Sequence, residues 1–417
     1  MHASSPSDTS PAAPPTPPAT PRRRRSAPSL RRSRLASMAA FATNGALPAS
    51  LLARYAEVKD TLGLSPALFG LMVVGFGLGG ALALHLPGVI ARRIGVARTA
   101  SFTTAAIGAG LILAAGGVAL GSPWVVLAGL LVAGAGDAVV DVAQNSQGLR
   151  VQAAYGRSLL NSMHAGWSIG AAIGGAVGTL AAVLGVPLLV HMSVWAVVCV
   201  LAMTLSSRAF MPEPVAAEDA EEVPARPSGW STVKILLPLT LIGLAGMSVE
   251  DIGNNWSAVL LSTERGMDPA AAGIGLSVLL GAQFIGRMLG DRVIDRLGER
   301  ASLILSLTAV IIGLLGAAWA PGVALSLVSL AIAGFGCAVT VPLAFARADR
   351  VPGLPAHSGV TWISWAMRAV VLMLSPAVGV MTQGSTLPVA ISVIVTIAVV
   401  ALVLQLRPRR PAEPLDG

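Results

Sequence analysis

Twelve long apolar stretches separated by short polar loops constrain this chain more than any other feature. They run at roughly 35–54, 65–91, 97–119, 123–148, 158–184, 186–207, 234–261, 268–292, 301–319, 322–346, 357–382 and 386–406. Each reaches the length of about 20 residues that a helix needs to cross about 30 Å of hydrocarbon, twice that of a barrel strand. Only helices and closed barrels satisfy the backbone in lipid. With 12% charged residues, against about 25% in soluble domains, the chain reads as an all-α integral membrane protein in direct contact with a lipid bilayer.

Six stretches lie on each side of the polar loop 208–233, which is rich in Pro and in acidic residues. The expected organisation is a basic, Pro-rich tail at 1–34, a six-helix half at 35–207, the linker, a second half at 234–406 and a tail at 407–417. Of 28 Lys and Arg residues, only Arg54, Lys59 and Arg265 fall in one set of alternate loops, while Arg287 and Arg368 lie within stretches. That asymmetry places the basic loops and both termini in the cytoplasm, with the chain in the cell membrane. The net charge of +8 is thereby explained by topology, and no nucleic-acid partner is expected. Arg31-Arg32 ahead of an apolar run also resembles a twin-arginine signal, but its removal would leave eleven spans and break the six-plus-six pattern.

The halves echo each other. Arg93 and Gly95 follow the second stretch as Arg296 and Gly298 follow the eighth, both pairs 203 positions apart. A parallel duplication of six helices is a transporter architecture.

Polar side chains inside the stretches are costly and mark cavities or partners. In the fourth stretch Asp137, Asp141, Gln144 and Gly148 share one helical face, with Asn145 beside it. Two close carboxylates disfavour double ionisation, so Asp137 and Asp141 are candidates for proton coupling. Asn44, Asp137, Glu250 and Arg368 all fall near mid-stretch, which predicts a central polar cavity. Glu250, Asp251, Asn254, Asn255 and Trp256 form a second patch, in which Glu250 and Asp251 are further proton candidates. Carboxylates, amides and an indole suit a hydroxylated or amine-bearing small molecule, with His164, Trp362 and Trp167 as further candidates.

Several motifs fail on context. Gly166-Trp167-Ser168-Ile169-Gly170 matches a hydrolase elbow, yet Gly166, Gly170, Gly174 and Gly178 recur every four residues and predict a helix with a packing groove. Gly75 to Gly80 lacks the acidic residue a dinucleotide site requires, and neither lysine sits in a Walker sequence. Cys199 and Cys337 lie alone in apolar stretches. No catalytic centre, metal or cofactor is expected.

Twelve spans, the repeat and the basic loops together resemble the major facilitator superfamily. Asn44-Gly45, Asp141 to Gly148, His164 and Glu250 with Trp256 are similar to its fucose-permease-like branch of sugar-type permeases. The resemblance implies a cytoplasmic gate at Gly88, Arg93 and Gly95, and at Asp295, Arg296 and Gly298. Arg92 stands where the family has Asp, shifting the implied gate chemistry toward the second half. It further implies a monomeric secondary transporter working by alternating access on a small-molecule substrate and protons. Sugar-like uptake, drug or metabolite efflux, and a non-transporting sensor or scaffold are the functions left open.

Overall fold

The computed structural model describes residues 28–83, 86–156, 159–212, 230–351 and 358–407. Most of the basic tail and of the linker lie outside these residues. In chain order the helices are α1 (Leu30–Leu52), α2 (Tyr55–Thr61), α3 (Pro66–Leu82), α4 (Leu86–Ile94), α5 (Val96–Ala119), α6 (Pro123–Tyr155), α7 (Leu160–Val183), α8 (Leu188–Ser207) and α9 (Trp230–Asp251). A π turn, Ile252–Trp256, leads into α10 (Ser257–Arg265), α11 (Ile274–Trp319), α12 (Val323–Cys337), α13 (Thr340–Asp349), α14 (Ser358–Gly384) and α15 (Leu387–Leu406). No strand occurs among the described residues.

Among the described residues, ten helical spans are long and apolar enough to cross a membrane. The two remaining passes are found within two local departures. The 46-residue α11 has non-helical backbone at Gly298; at 1.5 Å per residue its length is about twice the hydrocarbon thickness, so it supplies two passes. The stretch at 65–91 is divided, because α3 stops at Leu82 and α4 starts at Leu86 with Pro87 in its first turn. Proline has no N–H to bond Ala83 and favours a helix start. The first helix begins at Leu30 rather than 35, where the Ser29 side chain accepts the Arg32 N–H at 3.4 Å.

Gly95 (φ 84°, ψ 150°) and Gly298 (φ 76°, ψ 161°) occupy the same backbone region, which is accessible essentially to glycine alone. Each joins two helices at the end carrying the basic loops, so the sequence repeat is also a repeat of backbone conformation.

Helices α1–α8 pack mainly among themselves, as do α9–α15, and the seam between the two sets is formed chiefly by α3 against α14 and α7 against α11. The glycine groove of α7 holds α1: a Cβ at Gly170, Gly174 or Gly178 would run into the backbone carbonyls of Ala42, Ala46 or Ser50. Without a hydrophobic effect between helices in lipid, such close backbone approach is a main source of packing energy.

Candidate functional site

A cavity of about 240 Å³ lies at the seam. Asp137 reaches it from α6; Glu250 and Asp251 from α9; Asn254 and Asn255 from the π turn; Ser375 from α14. A π turn shifts the register of the side chains that follow it, and such turns are frequent at functional sites. Asp251, Asn254 and Asn255, at i, i+3 and i+4 around it, all line the cavity.

Asn44 of α1 and the charges of Asp141 and Arg368 act on Asp137. Asp141 is turned to its own helix: Gln144 Nε2 donates to it at 3.2 Å and Asn145 Nδ2 at 2.9 Å. Of the polar face on α6, therefore, only Asp137 lines the cavity, and the amides of Gln144 and Asn145 are occupied in holding Asp141. Gly134 and Gly136 allow this depth of insertion, since a Cβ at either would strike Phe76 of α3 or Ile107 of α5.

Glu250 pairs with Arg287 of α11 at 3.1 Å and accepts from Gln283 Nε2 at 2.6 Å. A second Arg287 nitrogen donates to Ser168 of α7, so this cation spans the seam. Asp251 accepts from Asn255 Nδ2 at 3.0 Å and from Ser375 Oγ at 2.9 Å. Arg287, Gln283 and Ser375 were not singled out from the sequence, although Arg287, an ionised residue in an apolar stretch, carried the signal.

Besides Gln144 and Asn145, five predicted ligand contacts sit outside the lining, among them Asn44, which is buried in α1. Trp256 is fully buried: its ring meets Phe69 edge-on at 5.2 Å and its N–H donates to Ser375 Oγ. Trp362 packs against the apolar core. His164 stands edge-on to Phe41 at 5.1 Å, under the charges of Asp141, Arg287 and Glu250. Arg368 is exposed on α14 and acts on Asp137 from outside the lining.

The seam is tight at the end opposite the basic loops. Gly70 lies against the Ser375 carbonyl, Gly379 against Pro66 and Gly273 against Ala53. Tyr55, Phe69 and Trp256 interlock edge-to-face at 5.6 and 5.2 Å across the same region. At the basic end Gly88 and Arg93 lie on α4, and Arg93, Asp295 and Arg296 are exposed and form no ion pair among the described residues. The charge contact there belongs to Glu299, which meets Arg347 at 3.1 Å and Arg350 at 2.6 Å. These guanidinium groups, Arg350 foremost, hold the Glu299 carboxyl below its ordinary pKa. Arg300 meanwhile donates to the carbonyls of Gln405 and Leu406 at the end of α15 and of Arg407 just beyond it.

Among the described residues no His, Cys, Asp and Glu side chains group as a metal site. Residues 35–376 match the family model described as Major Facilitator Superfamily. The chain is 28% identical over 332 residues to an uncharacterized MFS-type transporter of Yersinia pestis, covering 80% of this chain and 84% of that protein. In fold it is similar to a mutant form of the nucleoside transporter NupG, at TM-score 0.71 and 14% identity over 90% of this chain and 98% of that one. A D-xylose–proton symporter superposes with TM-score 0.69 at 14% identity, covering 91% and 98%.

Proposed function

The chain belongs to the major facilitator superfamily, a family of transporters rather than enzymes, and from that premise we propose that it moves a small solute through the central cavity by alternating access, coupled to protons. The observation that carries this reading is the placement of the cavity: it sits at the seam, with Asp137 contributed by the N-terminal set of helices and Glu250 and Asp251 by the C-terminal set. Rocking of the two sets about the seam would expose such a site to each side in turn. With the basic loops cytoplasmic, the tight end faces outward and the cavity belongs to an inward-open state of a monomer in the cell membrane.

Asp137 is the proton site in this reading. It is the carboxylate that touches the cavity while a second carboxylate, Asp141, lies one turn away on the same helix, and this arrangement favours retention of one proton.

The test is accumulation in proteoliposomes under an imposed pH gradient, with a labelled panel that includes a nucleoside, D-xylose and organic cations. Accumulation driven by the gradient is expected, and Asp137→Asn should abolish the proton dependence. Unchanged dependence in that variant would remove Asp137 from the mechanism. A solute that binds but is never accumulated would make the protein a sensor.

A further inference from the structure

The lining of the cavity is unbalanced in charge. Three carboxylates, Asp137, Glu250 and Asp251, contribute to it, and among the described residues no Lys, Arg or His does. Two of these acids have a cation behind them: Arg287 pairs with Glu250, and the charge of Arg368 acts on Asp137. Asp251 is held by neutral groups, the Asn255 amide and the Ser375 hydroxyl.

The hydrogen bonds around Asp251 are arranged for its ionised form. A serine hydroxyl has one proton to donate and two lone pairs. Asn255 Nδ2 and Trp256 Nε1 donate to Ser375 Oγ at 3.0 and 3.1 Å and occupy both lone pairs. The single Ser375 proton is thus left for Asp251, which faces donors on the protein side and finds no acceptor there for a proton of its own. A carboxylate surrounded by neutral dipoles beside apolar walls lacks a countercharge, and the cavity is the direction from which one can arrive.

A second, independent feature points the same way. Tyr55 lines the same cavity, is 1% exposed, and its hydroxyl has no hydrogen-bond partner. The remaining lining is largely apolar and includes Val73, Phe76, Trp167, Met247, Leu280 and Leu372. The Asn255 amide, which a polyol would seek as a donor, is already engaged by Asp251 and Ser375.

We propose that the cavity takes an amphipathic organic cation, its charged nitrogen on Asp251 and its apolar body against the remaining walls, in the same cavity that the unpartnered Tyr55 hydroxyl lines. The inference rests on the transporter reading for movement of the cation, but its binding can be tested separately. The full chain in nanodiscs is titrated with benzyltrimethylammonium, whose charge does not depend on pH, and in parallel with benzyl alcohol, D-xylose and uridine. Saturable binding of the cation alone is expected. Asp251→Asn should raise its Kd by about thirtyfold or more, while Asp251→Glu retains binding. Tyr55→Phe keeps the ring packing but removes the hydroxyl dipole, whose oxygen can face the cation without a hydrogen bond, and should weaken binding by about threefold, so the test survives if the Asn variant does not fold.

Equal binding of benzyl alcohol, an unchanged Kd in Asp251→Asn, or no binding of the cation would each overturn the assignment. D-xylose or uridine accumulating in vesicles without cation binding would overturn it and leave the transporter reading intact. A cation bound through Asp251 but never moved would do the reverse.

Discussion

Arg287 on α11 donates from one nitrogen to Ser168 on α7 and from another to Glu250 on α9, so a single guanidinium ties the two sets of helices together inside the membrane. Its side chain is 22% exposed and that of Glu250 29%. Removing one partner of a largely buried pair leaves the other charge uncompensated, at a cost of about 3 kcal/mol. Arg287→Gln should therefore lower the Tm markedly, and Glu250→Gln added to it should recover part of the loss. Cys199 and Cys337 are both buried and free, so a thiol-reactive dye reports the unfolding directly.

The two glycine joints predict a pair of matching defects. A Cβ added at Gly298 would meet nothing within 4 Å, so Gly298→Ala acts through backbone strain alone, at about 1–3 kcal/mol. Gly95→Ala should cost a similar amount, because its φ and ψ are nearly the same. The same dye-based melt measures both, and a neutral result at either position would contradict the assigned backbone.

On α7 the expected defect is steric. Gly170→Ala places a methyl group against the Ala42 carbonyl, a contact that α1 and α7 can relieve only by separating. Overpacking of this kind costs about 1–3 kcal/mol. Gly116→Ala, where nothing lies within 4 Å of the added carbon, is the control and should be near neutral. Monodispersity on size-exclusion chromatography separates the two.

Acidification should loosen the Glu299 contact. The folded carboxyl has the lower pKa, so its contribution to stability is fully present above the unfolded value of about 4.3 and is lost as pH falls through the folded value. Hydrogen exchange at the end of α13 should accelerate below about pH 4. Glu299→Gln should remove that pH dependence at a cost of about 1 kcal/mol or less, since Glu299 is about a third exposed and Arg350 more so.

Features set by local periodicity were legible before the structure. Hydropathy runs gave the twelve passes, spacing by four gave the α7 groove, and the recurrence of Gly95 at Gly298 gave the repeat, though not the backbone joint that each glycine forms. Asp137 and Asn44 were placed at one depth because position along a helix translates into depth in a bilayer. Partnerships across the seam were not legible: Ser168 and Arg287 are 119 positions apart, and nothing periodic relates them. The π turn was invisible for a related reason, since one extra residue in a turn leaves composition unchanged; Trp256, at its end, packs against Phe69 instead of lining the cavity. Glu299 was not legible either, because its partner arginines, Arg347 and Arg350, come from the end of α13, 48 and 51 positions away.

A single residue, Gly298, separates the part of α11 that carries Arg287 from the part that begins at Glu299. There is no slack between them. The clasp that Arg287 makes deep in the seam and the surface contact of Glu299 with Arg347 and Arg350 therefore stand on successive helical segments with one glycine, and no loop, between them.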